Sequence, residues 1–278
     1  MQNIDTSILE RNLLILIRGA GELASAAANS LYKSGFKIVL TDLQNPLAIR
    51  RNVSYCSAIH DKTISIEGVT ARYCMSKDIS DVLTNGEIPL IVDDERIIDN
   101  IQPFIVVDAR MLKKELGDDI TTSPFKIGLG PGFNAGDNCH MVIETNRGHN
   151  LGRIILDGMT IPDTGIPGNI GGESAKRVIR APRDGIVNWK VDLGEIVSKN
   201  QLMGTINNNI EIRATLNGLI RGLIMNGHFV TENMKIADID PRGLSVDYKA
   251  ISDKAISIGR AVLEAVLIII NKNIIKKL

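Results

Sequence analysis

The sequence predicts an α/β plus β protein: a Rossmann-like parallel-sheet domain, then a small β module, then a terminal helix. Three observations carry this. An apolar strand runs through a glycine turn into a helix at Ile15-Leu16-Ile17-Arg18-Gly19-Ala20-Gly21-Glu22-Leu23-Ala24. Short β-branched runs then alternate with helical segments as far as Met111. Finally, the stretch Ala181 to Asp240 repeats itself. Alternating strands and helices bury best as a mostly parallel sheet with helices on both faces.

The glycine turn is the first element. Gly19 allows a sharp turn, Gly21 keeps a side chain away from the helix N-terminus, and Ala24 is small enough for close helix–strand packing. The opening N–H groups and dipole of a helix attract anions, so Gly19, Ala20, Gly21, Glu22 and Leu23 are read as a dinucleotide or other nucleotide site. The next strand, Lys37 to Thr41, ends at Asp42, about 20 residues beyond Gly21, where a ribose-binding carboxylate belongs. The helix Glu22 to Lys33 closes at Gly35. Strands are then expected at Thr70 to Cys74, Pro89 to Val92 and Phe104 to Val107, and helices at Asp78 to Thr84 and Glu95 to Ile101. Asp108 and Arg110 follow the last of these strands, at the edge where open sheets bind ligands, or they pair with each other. Arg50 and Arg51 suit a phosphate or a solvated turn equally well.

Residues 113–180 change character. Gly128-Leu129-Gly130-Pro131-Gly132 and Pro167-Gly168-Asn169-Ile170-Gly171-Gly172 read as a glycine-rich linking layer. It contains the densest polar cluster, from Asp137-Asn138-Cys139-His140 through Glu144 to Arg147-Gly148-His149. Two chemistries compete there. Cys139 or His140 with His149 would make soft metal or cofactor ligands. Alternatively Arg147, His149 and Arg153 would form an oxyanion or phosphate site beside the glycine-rich loop of Gly130 and Gly132. A buried thiol and a hydrogen-bonded imidazole is the plainer reading of Cys139 and His140. The working site is expected between the two domains, lined by Gly130 to Gly136, Cys139, His140, Arg147 and His149.

In residues 181–243, Ala181-Pro182-Arg183-Asp184-Gly185-Ile186-Val187 recurs as Ala214-Thr215-Leu216-Asn217-Gly218-Leu219-Ile220. Gly194 matches Gly227, Val197 matches Val230 and Ile206 matches Ile239, at one offset. Neither copy can bury its apolar face alone, so the two should wrap together. The pattern resembles the biotinyl/lipoyl-like barrel-sandwich hybrid fold. The hairpin between the copies is Asn207-Asn208-Asn209, with no lysine for covalent biotin or lipoate. Residues 244–278 hold the terminal helix, capped by Ser252, with Ile258, Val262, Ala265, Val266 and Ile269 on one face. It is expected on the N-terminal domain (residues 1–112) or on another subunit of a homo-oligomer.

Composition narrows the partners. The chain has 278 residues, 32 basic and 32 acidic, so it lacks the charge excess that sequence-independent nucleic-acid binding uses. Met1 to Asp5 lacks the pattern of a signal peptide, and the apolar run Ala261 to Ile270 is too short for a membrane span. Cys56, Cys74 and Cys139 are odd in number and widely spaced, which suits reduced thiols and a cytoplasmic location.

Together these segments resemble the selenium-dependent molybdenum hydroxylase system proteins of the YqeB type. The stretches that carry the resemblance include Ile17 to Gly21, Pro46 to Arg51, Val107 to Met111, Gly128 to Phe133 and Cys139 to Thr145. Arg147 to Arg153, Ile239 to Gly243 and Ser252 to Ala255 complete it. The resemblance implies a maturation factor for a molybdenum hydroxylase client, with a molybdenum cofactor or selenium species as a further ligand. An NAD(P)-dependent oxidoreductase and a non-enzymatic adaptor docking the apo-hydroxylase are the alternatives.

Overall fold

The computed structural model describes residues 13–112 and 124–275. The Met1 to Asp5 reading lies outside them. The chain divides into two compact units: residues 1–44, 54–163 and 251–278 form the first, residues 45–53 and 164–250 the second.

The first unit opens with β1 (Ile15–Arg18), α1 (Glu22–Lys33) and β2 (Ile38–Asp42), followed by α2 (Ala58–Asp61), β3 (Thr63–Ile66) and β4 (Val69–Tyr73). Then come α3 (Ile79–Thr84), β5 (Ile88–Val92), α4 (Ile97–Ile101), β6 (Ile105–Asp108) and β7 (Phe125–Leu129). The short strands β8 (Asn134–Ala135), β9 (Met141–Ile143), β10 (Ile154–Ile155) and β11 (Gly158–Met159) complete its sheets. Nine of these strands form one sheet, in the order β10-β9-β7-β6-β1-β2-β5-β4-β3.

This corrects the predicted fold class. The sheet is large and mixed, because β10 pairs antiparallel with β9 at one edge and β3 antiparallel with β4 at the other. Residues from the predicted linking layer supply β7, β9 and β10, so the sheet does not end near residue 112. The physical reason lies in composition. A strand at Cys139 to Glu144 is legible in the sequence, while Ile154–Ile155 is too short to read as one alone; both join an existing edge whose unpaired backbone groups need partners. The Rossmann-like parallel domain with a biotinyl/lipoyl-like barrel-sandwich is therefore not what the chain forms.

The centre of the sheet is continuous aliphatic sequence, since strands buried on both faces have no polar side to alternate with. Ile15, Leu16 and Ile17 of β1 and Ile38, Val39 and Leu40 of β2 are all buried. α1 is rich in alanine, with Ala24, Ala26, Ala27 and Ala28 buried. That small surface admits the long helix α5 (Asp253–Ile275) at short range. A Cβ on Gly259 of α5 would sit 2.6 Å from the Ala26 carbonyl oxygen. Ile258, Val262, Ala265, Val266 and Ile269 are buried, as their spacing predicts, and Ser252 Oγ accepts the Ala255 N–H at 3.3 Å.

The second unit contains β12 (Val178–Arg180), β13 (Gly185–Trp189), β14 (Ile196–Val197), β15 (Leu202–Ile206), β16 (Ile210–Arg213), β17 (Gly218–Leu223), β18 (Phe229–Val230) and β19 (Lys235–Asp240). They form two four-stranded sheets, β12-β19-β17-β14 and β16-β15-β13-β18. The repeat works by exchange: β14 of the first copy pairs with β17 of the second, and β18 of the second with β13 of the first. Val187, Val197, Ile206, Ile220, Val230 and Ile239 share one apolar core. This unit reaches beyond residues 181–243. Ile49 packs into that core and its carbonyl accepts the Leu223 N–H, so the segment 45–53 belongs here.

An ion network joins β12's flank, β17 and β19. Arg177 Nη1 donates to Asp238 at 2.6 Å, Arg221 reaches Asp238 and Asp240 at 3.1 and 3.3 Å, and Arg242 pairs with Asp240 at 2.8 Å. Burial pulls the Asp238 carboxyl upward, but Lys235, Arg221 and Arg177 outweigh it and bring it down to about 2.

Two outcomes follow from this packing. Gly259→Leu forces α1 and α5 apart and is expected to cost about 1–3 kcal/mol, the scale of core overpacking, read as a lower Tm and urea midpoint. Asp238 is more acidic in the folded chain than the usual value of about 3.9. Its contribution to stability is therefore complete above about pH 4 and lost as pH falls toward 2. Urea midpoints from pH 6 downward should fall less steeply for Asp238→Asn than for the parent chain.

Candidate functional site

The C-terminal ends of β1, β2, β5 and β6 lie side by side, because these strands are parallel neighbours. The chain leaves β1 at Gly19 with φ +94°, and a Cβ there would lie 2.9 Å from the Ala109 carbonyl oxygen. Only glycine meets both conditions. Ala20 follows, fully buried and held on all sides. Its N–H donates to Asp42 Oδ2 at 2.7 Å, and its carbonyl accepts from Ser25 Oγ at 3.1 Å and from the Cys56 N–H at 3.0 Å. Ser25 Oγ in turn accepts the Tyr55 N–H at 2.8 Å.

Gly21 is different. It is the N-cap of α1 in an extended conformation, with no side-chain cap, and a Cβ built on it has nothing within 4 Å. The space above the start of a twelve-residue helix is open, and the turn beneath it is rigid. Glu22 and Leu23, the first helical residues, are partly exposed at the same end. This is a geometry suited to an anion such as a phosphate.

Asp42 is placed at the turn but already employed. Oδ2 accepts from Ala20 and Oδ1 from the Leu43 N–H at 2.7 Å. Burial raises its pKa; the two N–H donors oppose this and Asp93 reinforces it. Each oxygen keeps a further lone pair, so the carboxylate can still accept a ribose hydroxyl. Two further groups at this edge were not singled out by sequence reasoning. Arg18 Nε and Nη2 donate to Asp93 Oδ2 at 3.2 and 3.0 Å. Arg18 directly precedes the glycine turn and Asp93 directly follows β5, so charge at strand ends was the available signal. Asp108 and Arg110 pair with each other at 2.6 Å.

The glycine-rich middle places its residues otherwise. Gly130 has φ +75°, and a Cβ there would lie 2.6 Å from Thr145 Oγ1. Its freedom serves the approach of the protein's own side chain. Asn138 fastens the same loop, donating to the Gly132 carbonyl at 3.2 Å and accepting the Asn134 N–H at 2.9 Å. Cys139 is fully buried with Phe133, Ala135 and Val142. Burial pushes its thiol up to about 11. His140 Nδ1 accepts the Lys126 N–H at 3.0 Å beside the Phe125 ring, and burial lowers its pKa. Among the described residues no group of three or more His, Cys, Asp or Glu is arranged to hold a metal ion.

Arg147 donates to both Asp253 oxygens, at 2.6 and 2.8 Å, while His149 is exposed. Gly130, Gly132, Cys139, His140, Arg147 and His149 all fall within the first unit. Arg50 and Arg51 hold carbonyls of Ala250 and Leu223 within the second. No helix among the described residues is long and apolar enough to cross a membrane.

The buried thiol has a direct consequence. In the native chain at pH 8, Cys139 should resist iodoacetamide, and label fully only in denaturant, as read by peptide mass spectrometry. Native labelling of Cys139 would place its thiolate in an open cleft instead.

No protein-family model matches the chain. Among solved structures, it is similar to an aspartoacylase family protein from Mesorhizobium loti at 14% identity and a TM-score of 0.28, covering 81% of this chain and 84% of that one. A succinylglutamate desuccinylase from Silicibacter sp. TM1040 matches at 11% identity and a TM-score of 0.25, covering 82% and 84%. At these scores neither fold nor activity transfers. The sequence match is of another order: 44% identity over 263 residues to the uncharacterized protein YqeB of Escherichia coli strain K12, covering 94% of this chain. The chain spans about half the length of that curated relative, 48%. It is a homologue of YqeB over that shared half.

Proposed function

We propose that this chain binds a nucleotide or related phosphate-bearing ligand at the Gly19–Leu23 turn, and that it does so as a cytoplasmic accessory factor in the maturation of a selenium-dependent molybdenum hydroxylase. The observation that carries the ligand reading is the open space at Gly21 above a turn locked by Asp42, Ser25 and Cys56. A pre-ordered turn loses little entropy on binding, and an uncapped helix start supplies the donors. The maturation role rests on the long motifs that resemble the selenium-dependent molybdenum hydroxylase system proteins. The hydroxylase is then a client, and the nucleotide a ligand of the factor that serves it.

Gly21→Val is the clean test, because φ −71° suits valine and its Cβ meets nothing within 4 Å. Asp42→Ala would be ambiguous, since it also removes the acceptor of the Ala20 N–H. Calorimetry with ATP and NAD should show binding to the parent chain and at least a roughly hundredfold loss in Gly21→Val, a penalty of about 3 kcal/mol, with Tm unchanged. In cells lacking the factor, the same variant should fail to restore active hydroxylase. A parent chain with no affinity for any nucleotide overturns the ligand reading.

A further inference from the structure

The Arg18–Asp93 pair has a position that the fold alone explains. β2 lies between β1 and β5, so a bridge from the end of β1 to the residue after β5 passes across the end of β2. Arg18 is in register with Thr41 and Thr41 with Ile91, two residues before Asp93. The Asp93 N–H donates to the Asp42 carbonyl at 2.8 Å, which ties the two acids' backbones together. Both side chains of the bridge are mostly buried, 13% and 12% exposed. Beneath and beside it, Thr41 Oγ1 and Asp93 Oδ1 are buried with no hydrogen-bond partner among the described residues.

The charges at the rim are unequal. Arg18 is neutralised by Asp93, Arg110 by Asp108, and Asp42 remains as net negative charge beside the turn. We propose that the nucleotide taken here carries a free ribose 2′-hydroxyl, and that Asp93 is the residue that excludes a 2′-phosphate. Asp93 does so by holding the Arg18 guanidinium, which a 2′-phosphate at the end of β2 would otherwise recruit. A hydroxyl donates to a carboxylate; a phosphate, carrying more than one negative charge, is repelled by it. Specificity of this kind comes from the repulsive element as much as from the attractive one.

This inference rests on the ligand reading above, and one experiment separates the two. NAD and NADP differ only in the 2′-phosphate, as do AMP and adenosine 2′,5′-bisphosphate. Titrated into the parent chain, the unphosphorylated member of each pair should bind at least roughly tenfold more tightly, with the ratio shrinking at high ionic strength as screening sets in. Asp93→Asn removes one charge and frees Arg18, and should narrow that ratio at least roughly fivefold by strengthening binding of the 2′-phosphorylated member of each pair. Equal affinity for both members in the parent chain overturns the inference and leaves the ligand reading intact. So does a ratio that Asp93→Asn does not move. No binding of any of the four overturns both. The parent-chain ratio decides the matter even where Asp93→Asn fails to fold.

Discussion

The first unit depends on one constraint: at the end of β1 the chain must turn away from the sheet where no side chain fits. Gly19 takes a left-handed backbone conformation that leaves no room for a Cβ beside the Ala109 carbonyl, and Ala20 is then held by Asp42, Ser25 and Cys56. These bonds come from β2, from the first turn of α1 and from the segment after it. The start of α1 is thereby fixed relative to the strand ends, and with it every group at the carboxyl edge. The open space at Gly21, where a Cβ would meet nothing within 4 Å, is the feature on which the functional reading stands.

Small residues transmit that placement outward. The alanine-rich surface of α1 lets α5 approach until Gly259 meets the Ala26 backbone. α5 therefore packs on the helix whose N-terminus follows the glycine turn. Arg147, Gly152 and Ser257 bring the segment after β9 against the start of α5 as well. Several residues of the polar cluster, read in the sequence as a metal, cofactor or oxyanion site, take part in this internal fastening. Arg147 is bound to Asp253, Gly130 is closed by Thr145, and Cys139 is sealed in an apolar cluster. The second unit solves its own problem by reciprocal exchange of strands between its two copies, with Asp238 and Asp240 stitched by arginines on the same β17–β19 ladder.

Local patterns were enough to read the strand–turn–helix at Ile15 to Lys33, the glycine C-cap at Gly35 and the buried face of α5. They also revealed the duplication whose matching positions form the core of the second unit. Each of these depends on periodicity or on a residue whose backbone freedom is intrinsic. Asp42 was placed at the turn by spacing alone, and it does bond there, though to the protein's own backbone. What spacing could not reveal is whether a glycine opens space for a ligand or for a neighbour. Gly21 and Gly130 look alike in sequence, and only the surrounding atoms distinguish them.

By itself, then, the sequence determined where the first strand, the glycine turn and the first and last helices fall, and which of their faces are apolar. Those properties are set within about a dozen residues. The tertiary structure decided the strand order, the mixed edges built from residues 141–155, and the assignment of residues 45–53 to the second unit. It also decided that Arg18 meets Asp93, 75 residues away, across the end of β2. Such pairings depend on which strand edges and apolar faces find each other over long separations, and no local pattern encodes them.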